Sequence, residues 1–295
     1  MHTATYYIDL LLSGITVGSL YALIAIGYTM VYGILRLINF AHGDIFMMSG
    51  FFMIYVSATL PMAVSIPVVL LMTVLLGVLI ERAAYKPLRS APRMSVMISA
   101  IGVSYLLQNL ALLVFGAQPK NFTSVVPLDS VKLFDGRLTI SGEAIVTIAV
   151  TVIIMVALML FINKTRPGNA MRAVSEDRGA AQLMGVNVNG TIALTFAIGS
   201  GLAAIAGVLL CSTYSNLTST TGAMPGIKAF VAAVFGGIGS IPGAMIGGVL
   251  IGIIEILGRA YISSQMADAI VFAVLILVLV IKPTGILGKK IDEKV

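Results

Sequence analysis

The stretch INFAHGDIFMMSG, residues 38–50, places Asn39, His42 and Asp44 within six residues, between two long apolar runs. Those side chains could bind a metal, relay a proton or line a transport path. The metal reading needs more ligands than the chain offers: it has two histidines, and the other, His2, is at the extreme N-terminus. His42 and Asp44 are two apart, a spacing that points neighbours on a helix away from each other. There is no HExxH for zinc hydrolysis, no GxSxG nucleophile and no GxxxxGK[ST] phosphate loop. An ion-coupled carrier would hold ionisable residues deep in the membrane. Here Asp9, Arg36, Asp44, Glu81, Arg82, Glu255, Arg259 and Asp268 lie mostly at segment ends, and Gln108 and Asn109 cannot titrate. What remains is a structural cap or a gate. Asn39 and Asp44 are placed to cap the helix that follows, and an aspartate there complements the helix dipole. As a gate or path element, the same stretch would use His42 as a hydrogen-bonding partner.

The elements that must position these groups follow from composition. The chain is 59% hydrophobic and 10% charged over 295 residues, with a mean hydropathy of +1.05. A soluble domain carries roughly 25% charge, so this is a membrane-embedded chain, in contact with lipid. Its net charge of +6 comes from basic residues in short loops. Orientation in the membrane explains them, and nucleic-acid binding is not expected. The single cysteine, Cys211, lies in an apolar run and excludes an intrachain disulfide or a cysteine metal cluster. The N-terminal MHTATYYID has no basic residue and does not resemble a cleaved signal, so the first run is expected to stay as a span.

About eight apolar segments are predicted: roughly 10–34, 44–60, 63–84, 95–115, 144–163, 191–213, 229–257 and 267–282. None alternates like a barrel strand, so the fold class is all-α polytopic, one transmembrane domain over 1–295. Arg82, Lys86, Arg89 and Arg93 follow the third segment. Lys164, Arg166, Arg172 and Arg178 follow the fifth, and Lys282, Lys289, Lys290 and Lys294 end the chain. By the positive-inside rule these clusters are cytoplasmic. Loop 116–143 and the N-terminus then face outward. Parity requires the seventh segment to begin and end on the outer side. Its centre, GGIGSIPG, is a helix breaker, so two half-helices that dip in and return are expected, with Gly236, Gly237, Gly239 and Pro242 as candidate path residues. An ordinary kinked span is the alternative. Small residues recur every fourth position at Gly14, Gly18 and Ala22, at Gly199, Ala203 and Gly207, and at Gly239, Gly243 and Gly247. Such stripes predict close helix packing. In the outer loop, β-prone runs flank Asp135-Gly136 and predict a hairpin with a type I′ turn, either decoration or a platform for an external partner.

Loop 164–190 is the other unusual stretch. Pro167 and Gly168 punctuate its start, AVSEDRGAAQLMG has helix-forming character, and Gly185 stands where a C-terminal cap belongs. A short exposed helix on the cytoplasmic face is either a connector or a docking element that transmits force.

GSLYALIAIGYTMVYGILRLINFAHGD, IERAAYKPLR, ISAIGVSYLLQN, MRAVSEDRGAAQLMGV, AFVAAVFGGIGSIPGAMIGG and KPTGILG together resemble the LivH-type permeases of bacterial high-affinity branched-chain amino acid importers of the ATP-binding-cassette class. The likeness runs along essentially the whole chain, with NFAHGD and GGIGSIPGA its most specific parts. It implies a multi-pass subunit of the inner membrane that catalyses no reaction itself. A second, LivM-like permease, two cytoplasmic ATPases of LivG and LivF type that hold ATP and magnesium, and a periplasmic binding protein delivering leucine, isoleucine or valine are the implied partners. The chain itself would carry no cofactor. In the wider class the coupling loop carries an EAA…G pattern, and Glu176, Ala180, Ala181 and Gly185 match it, with DRG between the glutamate and the alanines. Related permeases serve urea, short amides or other amino acids, and a passive channel, an ion-coupled carrier or a membrane scaffold are the readings outside the class.

Overall fold

An apolar run in lipid has no water to bond its backbone, so each closes its hydrogen bonds internally as a helix. The computed structural model describes residues 2–89, 91–121, 124–126, 128–133, 138–214 and 216–288. The helices are α1 (His2–Leu35), α2 (His42–Ser57), α3 (Met62–Ile80), α4 (Arg93–Phe115), α5 (Gly142–Lys164), α6 (Arg166–Glu176), α7 (Arg178–Leu183), α8 (Val188–Thr213), α9 (Ala223–Gly236), α10 (Ile241–Tyr261) and α11 (Ala267–Ile281). α3 runs on through a π-helical turn, Glu81–Tyr85, and a 3-10 turn, Lys86–Leu88. The strands are β1 (Lys120–Asn121), β2 (Val131–Leu133), β3 (Leu138–Ile140) and β4 (Asn216–Leu217).

Among the described residues, six helices are long and apolar enough to cross a membrane: α1, α3 with its continuation, α4, α5, α8 and α10. α2, α9 and α11 have 16, 14 and 15 residues, about 24, 21 and 22 Å of helix against a hydrocarbon core of about 30 Å. The predicted seventh segment accounts for the extra helix, because it divides into α9 and α10; the expectation of two half-helices is corrected, since only α9 is short and the 21 residues of α10 are enough to cross. Gly237 at φ 108° and Gly239 at φ 93° take a backbone region that side chains disfavour. Ser240 then caps α10, its Oγ accepting from Gly243 N–H at 3.2 Å, and Pro242 sits in the first turn, where its missing N–H is harmless. The two helices return antiparallel: a Cβ on Gly236 would strike the Gly243 carbonyl, and one on Gly247 the Ala232 carbonyl.

Glycine seams hold the bundle. α1 lies antiparallel to α10, and a Cβ on Gly14 would come 2.8 Å from Ile253 Cα and one on Gly18 2.6 Å from Val249 Cα. α8 runs parallel to α2, with Gly207 against Phe46 O and Ser49, and Gly50 against Cys211. Two of the three predicted small-residue stripes therefore lie in seams. The third is corrected in part: Gly243 and Gly247 pack, whereas Gly239 is in the turn with open space beside it. The outward faces of α3, α4 and α5 expose Leu75, Leu79, Tyr105, Leu113 and Ile153, surfaces suited to lipid or a second subunit. β2 and β3 pair antiparallel from Val131↔Ile140 to Leu133↔Leu138, which is the predicted hairpin; its turn, 134–137, lies outside the described residues. β1 and β4 pair Lys120↔Leu217 and join the loops that follow α4 and α8.

Candidate functional site

The polar stretch after α1 does not stay at the edge of the bundle. Arg36 has φ 55°, a left-handed conformation uncommon outside glycine, and the chain doubles back there. His42 arrives beside Gly27, whose missing side chain leaves room for the imidazole. Its ring meets Tyr28 edge-on at 4.9 Å between centroids. Gly27 precedes the end of α1 by eight residues, about 12 Å of helix. α2 thus begins two turns inside the bundle, and Asn39, His42 and Asp44 are all at least 98% buried.

That position changes what these side chains do. The expectation that Asn39 and Asp44 cap α2 is corrected: the N-cap is Ala41, with no side-chain cap bond. Asn39 Oδ1 instead accepts from the Tyr85 hydroxyl at 2.7 Å, while its backbone carbonyl accepts from His42 N–H at 3.0 Å. The Asp44 carboxylate accepts from Ser104 Oγ and from Gln108 Nε2 at 3.0 Å, both on α4, and still places a negative charge in the first turn of α2. His42 faces α1 and Asp44 faces α4, the divergence their spacing predicts.

The N-terminus of α9 meets the N-terminus of α2. A Cβ on Gly43 would lie 2.6 Å from Gly222 O and 2.9 Å from Gly226 Cα, so only glycines allow the approach. Two discontinuous helices thus turn their positive ends toward one point inside the bundle, the geometry transport proteins use at substrate sites. The predicted path residues fall at opposite ends of α9. Asn39, His42 and Asp44 lie by its start. Gly236, Gly237, Gly239 and Pro242 lie at its end, about 21 Å away along the helix. There Gly237 packs on Leu287 and Gly288, whose segment donates Ile286 N–H to Phe235 O and Leu287 N–H to Gly236 O at 2.9 Å. Only Gly239 of the three glycines borders open space.

One buried network was not anticipated from the sequence. Lys228 on α9 is 4% exposed and Glu255 on α10 is fully buried. Lys228 Nζ lies 2.8 Å from Glu255 Oε1 and 2.6 Å from Asp268 Oδ1. Tyr21 donates to Glu255 Oε2 at 2.8 Å, and Arg259 completes an i,i+4 pair with Glu255. Two cations and two anions balance, and they tie α1, α9, α10 and α11 together. The signal available was a lone lysine in AMPGIKAFVAAVF. Among the described residues no group of three or more histidine, cysteine or acidic side chains could hold a metal.

On the opposite face of this tie, loop 164–190 forms two helices in place of the single one expected. Asp177 separates them, and its carboxylate accepts from Ala180 N–H at 3.0 Å to start α7. Gly185 at φ 82° ends α7, with Val186 N–H on Ala181 O and Gly185 N–H on Gln182 O, both 3.0 Å, the cap its position predicts. Glu176 closes α6, Ala180 is exposed and Ala181 is buried. Leu183 and Met184 are 90% and 84% exposed. Arg178 Nη2 donates to Ile34 O at 2.9 Å, so a cation closes the C-terminal end of α1 beside Arg36. Burial, then the nearby Arg89 and Arg36 charges, push the Arg178 pKa below the usual guanidinium value. Arg89 also pairs with Glu81 and bonds Asn189, fastening the end of α3 to the start of α8.

Long and short apolar helices with broken elements meeting inside, and an exposed helical pair on one face, define a multi-pass membrane transport permease. A family model described as branched-chain amino acid transport system / permease component matches residues 10–279. The chain belongs to that family. It is 45% identical, over 98% of both chains, to the high-affinity branched-chain amino acid transport system permease protein LivH of Escherichia coli strain K12. It is equally 45% identical, over 98% of both, to the permease protein BraD of Pseudomonas aeruginosa. A probable LivH of Methanocaldococcus jannaschii is 30% identical over 92% of this chain and 89% of its own. No solved structure matches the chain significantly.

Proposed function

We propose that this chain is the permease subunit of an ATP-driven importer that moves leucine, isoleucine and valine across the bacterial inner membrane by alternating access. The observation that carries the reading is 45% identity along 98% of the chain to permeases named for high-affinity branched-chain amino acid transport. A second, LivM-like permease, two ATPases of LivG and LivF type that bind ATP and magnesium, and a periplasmic binding protein complete the machine. Glu176, Ala180, Ala181 and Gly185 belong to the segment on which the ATPases act. Leu183 and Met184 offer them an exposed apolar knob, and Arg178 connects α7 to the last turn of α1. From there the chain passes through Arg36 into the start of α2. Movement of α7 with the ATPases therefore bears on the point where α2 and α9 meet. ATP shifts the population between outward-open and inward-open states by binding one of them better. At that meeting point, helix N-termini suit a carboxylate, while the Asp44 carboxylate, held by Ser104 and Gln108, fixes the start of α2 against α4.

The test is uptake by the complete transporter in proteoliposomes with ATP inside the ATPase compartment. Labelled leucine accumulates only with ATP and binding protein, and isoleucine and valine compete while urea does not. Competition by urea moves the substrate to another small solute. Accumulation by this chain alone rejects the ATP-driven class.

A further inference from the structure

A cleft opens on the face that carries α6 and α7, where the coupling segment lies against the transport helices. It is open on one side, has a volume of about 100 Å³, and is bounded by the last turns of α1, the end of α5, the flank of α6 and the α9–α10 turn. Three features point to a ligand. Thr29 lines it, is 99% buried and has no hydrogen-bond partner for its hydroxyl. Arg172 lines it with a guanidinium that bonds the neutral Asn169 side chain at 2.6 Å, and none of the ion pairs among the described residues includes it. The 21-residue helix α10 begins beside it at Ile241; Ser240 Oγ already takes the Gly243 N–H and Pro242 has none, so α10 contributes its dipole field to the cleft and not a set of free N–H donors. The remaining wall is apolar, from Met30, Ile34, Ile162 and Met171. Gly33 and Gly239 both border it with nothing within 4 Å of where a side chain would begin.

We infer that this cleft binds a small aliphatic carboxylate from the cytoplasmic side, the class to which the branched-chain amino acids belong. Arg172 holds the carboxylate in the dipole field of α10, the Thr29 hydroxyl accepts from an ammonium group, and the apolar wall takes the aliphatic chain. An occupant touches α6, α1 and the α9–α10 turn together, so it ties the coupling segment to the elements it must move. Accumulated product thereby slows the cycle. The regulatory half rests on the importer reading above; the binding half does not.

The experiment uses the complete transporter in nanodiscs without binding protein, so that both faces are open, and the signal lost in Gly33→Leu separates this site from the transport path. Leucine, isovalerate and isopentylamine are compared by saturation-transfer NMR on their methyl groups and by ATPase rate. Leucine gives methyl saturation and lowers the ATPase rate, and isopentylamine does neither. Weaker binding of isovalerate than of leucine supports the ammonium contact at Thr29; equal binding overturns that contact. Gly33→Leu, whose Cβ meets nothing within 4 Å, fills the floor and abolishes both signals while the ATPases still co-purify. Arg172→Gln weakens leucine binding by about tenfold, the effect of losing one charge-assisted hydrogen bond. Equal binding of isopentylamine, or unchanged methyl saturation in Gly33→Leu, overturns the site. Saturation without any change in ATPase rate overturns the regulatory half. Failure of the importer reading is distinct: the purified assembly then contains no ATPase.

Discussion

Lys228 and Glu255 show what a charge does when it cannot reach water. Each is buried, and each is held by more than one opposite or hydrogen-bonding group. Removing one member leaves the other charged in an apolar surround. Lys228→Met is expected to cost roughly 3–5 kcal/mol, read by equilibrium unfolding in mixed detergent micelles. Lys228→Met with Glu255→Met recovers more than half of that loss, because Arg259 and Asp268 are each 41% exposed and keep their solvent. A single variant that loses less than about 1 kcal/mol would show that the pair is not buried in the membrane-embedded protein. This lysine was hard to read in advance because its partner is 27 positions away on another helix. Asn39 and Asp44 were misread for a related reason. Capping is the local use of such residues, but α2 starts inside the bundle, where Tyr85 and α4 supply better partners than the helix's own N–H groups.

At the scale of elements, close helix approach was legible because it needs only small residues at a fixed spacing. Gly14 and Gly18 do meet α10. The break in the seventh segment was legible too, since GGIGSIPG cannot continue a helix. The depth of α2 was not. Nothing local to residues 36–41 says that Arg36 turns the chain back beside Gly27, which is a tertiary fact set by the fit of His42 against that glycine. The seam predicts a contrast between two glycines in the same kind of setting. Gly18→Leu forces α1 and α10 apart, because even its Cβ would lie 2.6 Å from backbone, and the protein is lost from the membrane or fails to assemble. Gly102→Leu has nothing within 4 Å of its Cβ and leaves expression near that of the parent chain. Quantitative blotting of the membrane fraction separates the two. Equal abundance would mean that the α1–α10 seam does not set the stability of the bundle.

For the molecule as a whole, packing gathers the basic helix ends on one face. Arg82, Lys86 and Arg89 extend α3 on the side where Arg178 and α7 lie, since Arg89 and Arg178 are close enough for their charges to interact. The loops after α4 and α8 come together at the other side through β1 and β4. The antiparallel α1–α10 and parallel α2–α8 contacts fit that arrangement with α9 as a short descending helix. The positive-inside rule then predicts that the α6–α7 face is cytoplasmic. Cys211 is 2% exposed, so introduced thiols can be read against a quiet background. Leu128→Cys, at a position 51% exposed in the outer loop, reacts with a membrane-impermeant maleimide on intact spheroplasts. Leu183→Cys, 90% exposed on α7, reacts only after permeabilisation. The reverse pattern would invert the molecule and put the proposed coupling segment out of reach of any cytoplasmic ATPase. Labelling of both on intact spheroplasts would instead break the parity that places α9 and α10 as a returning pair.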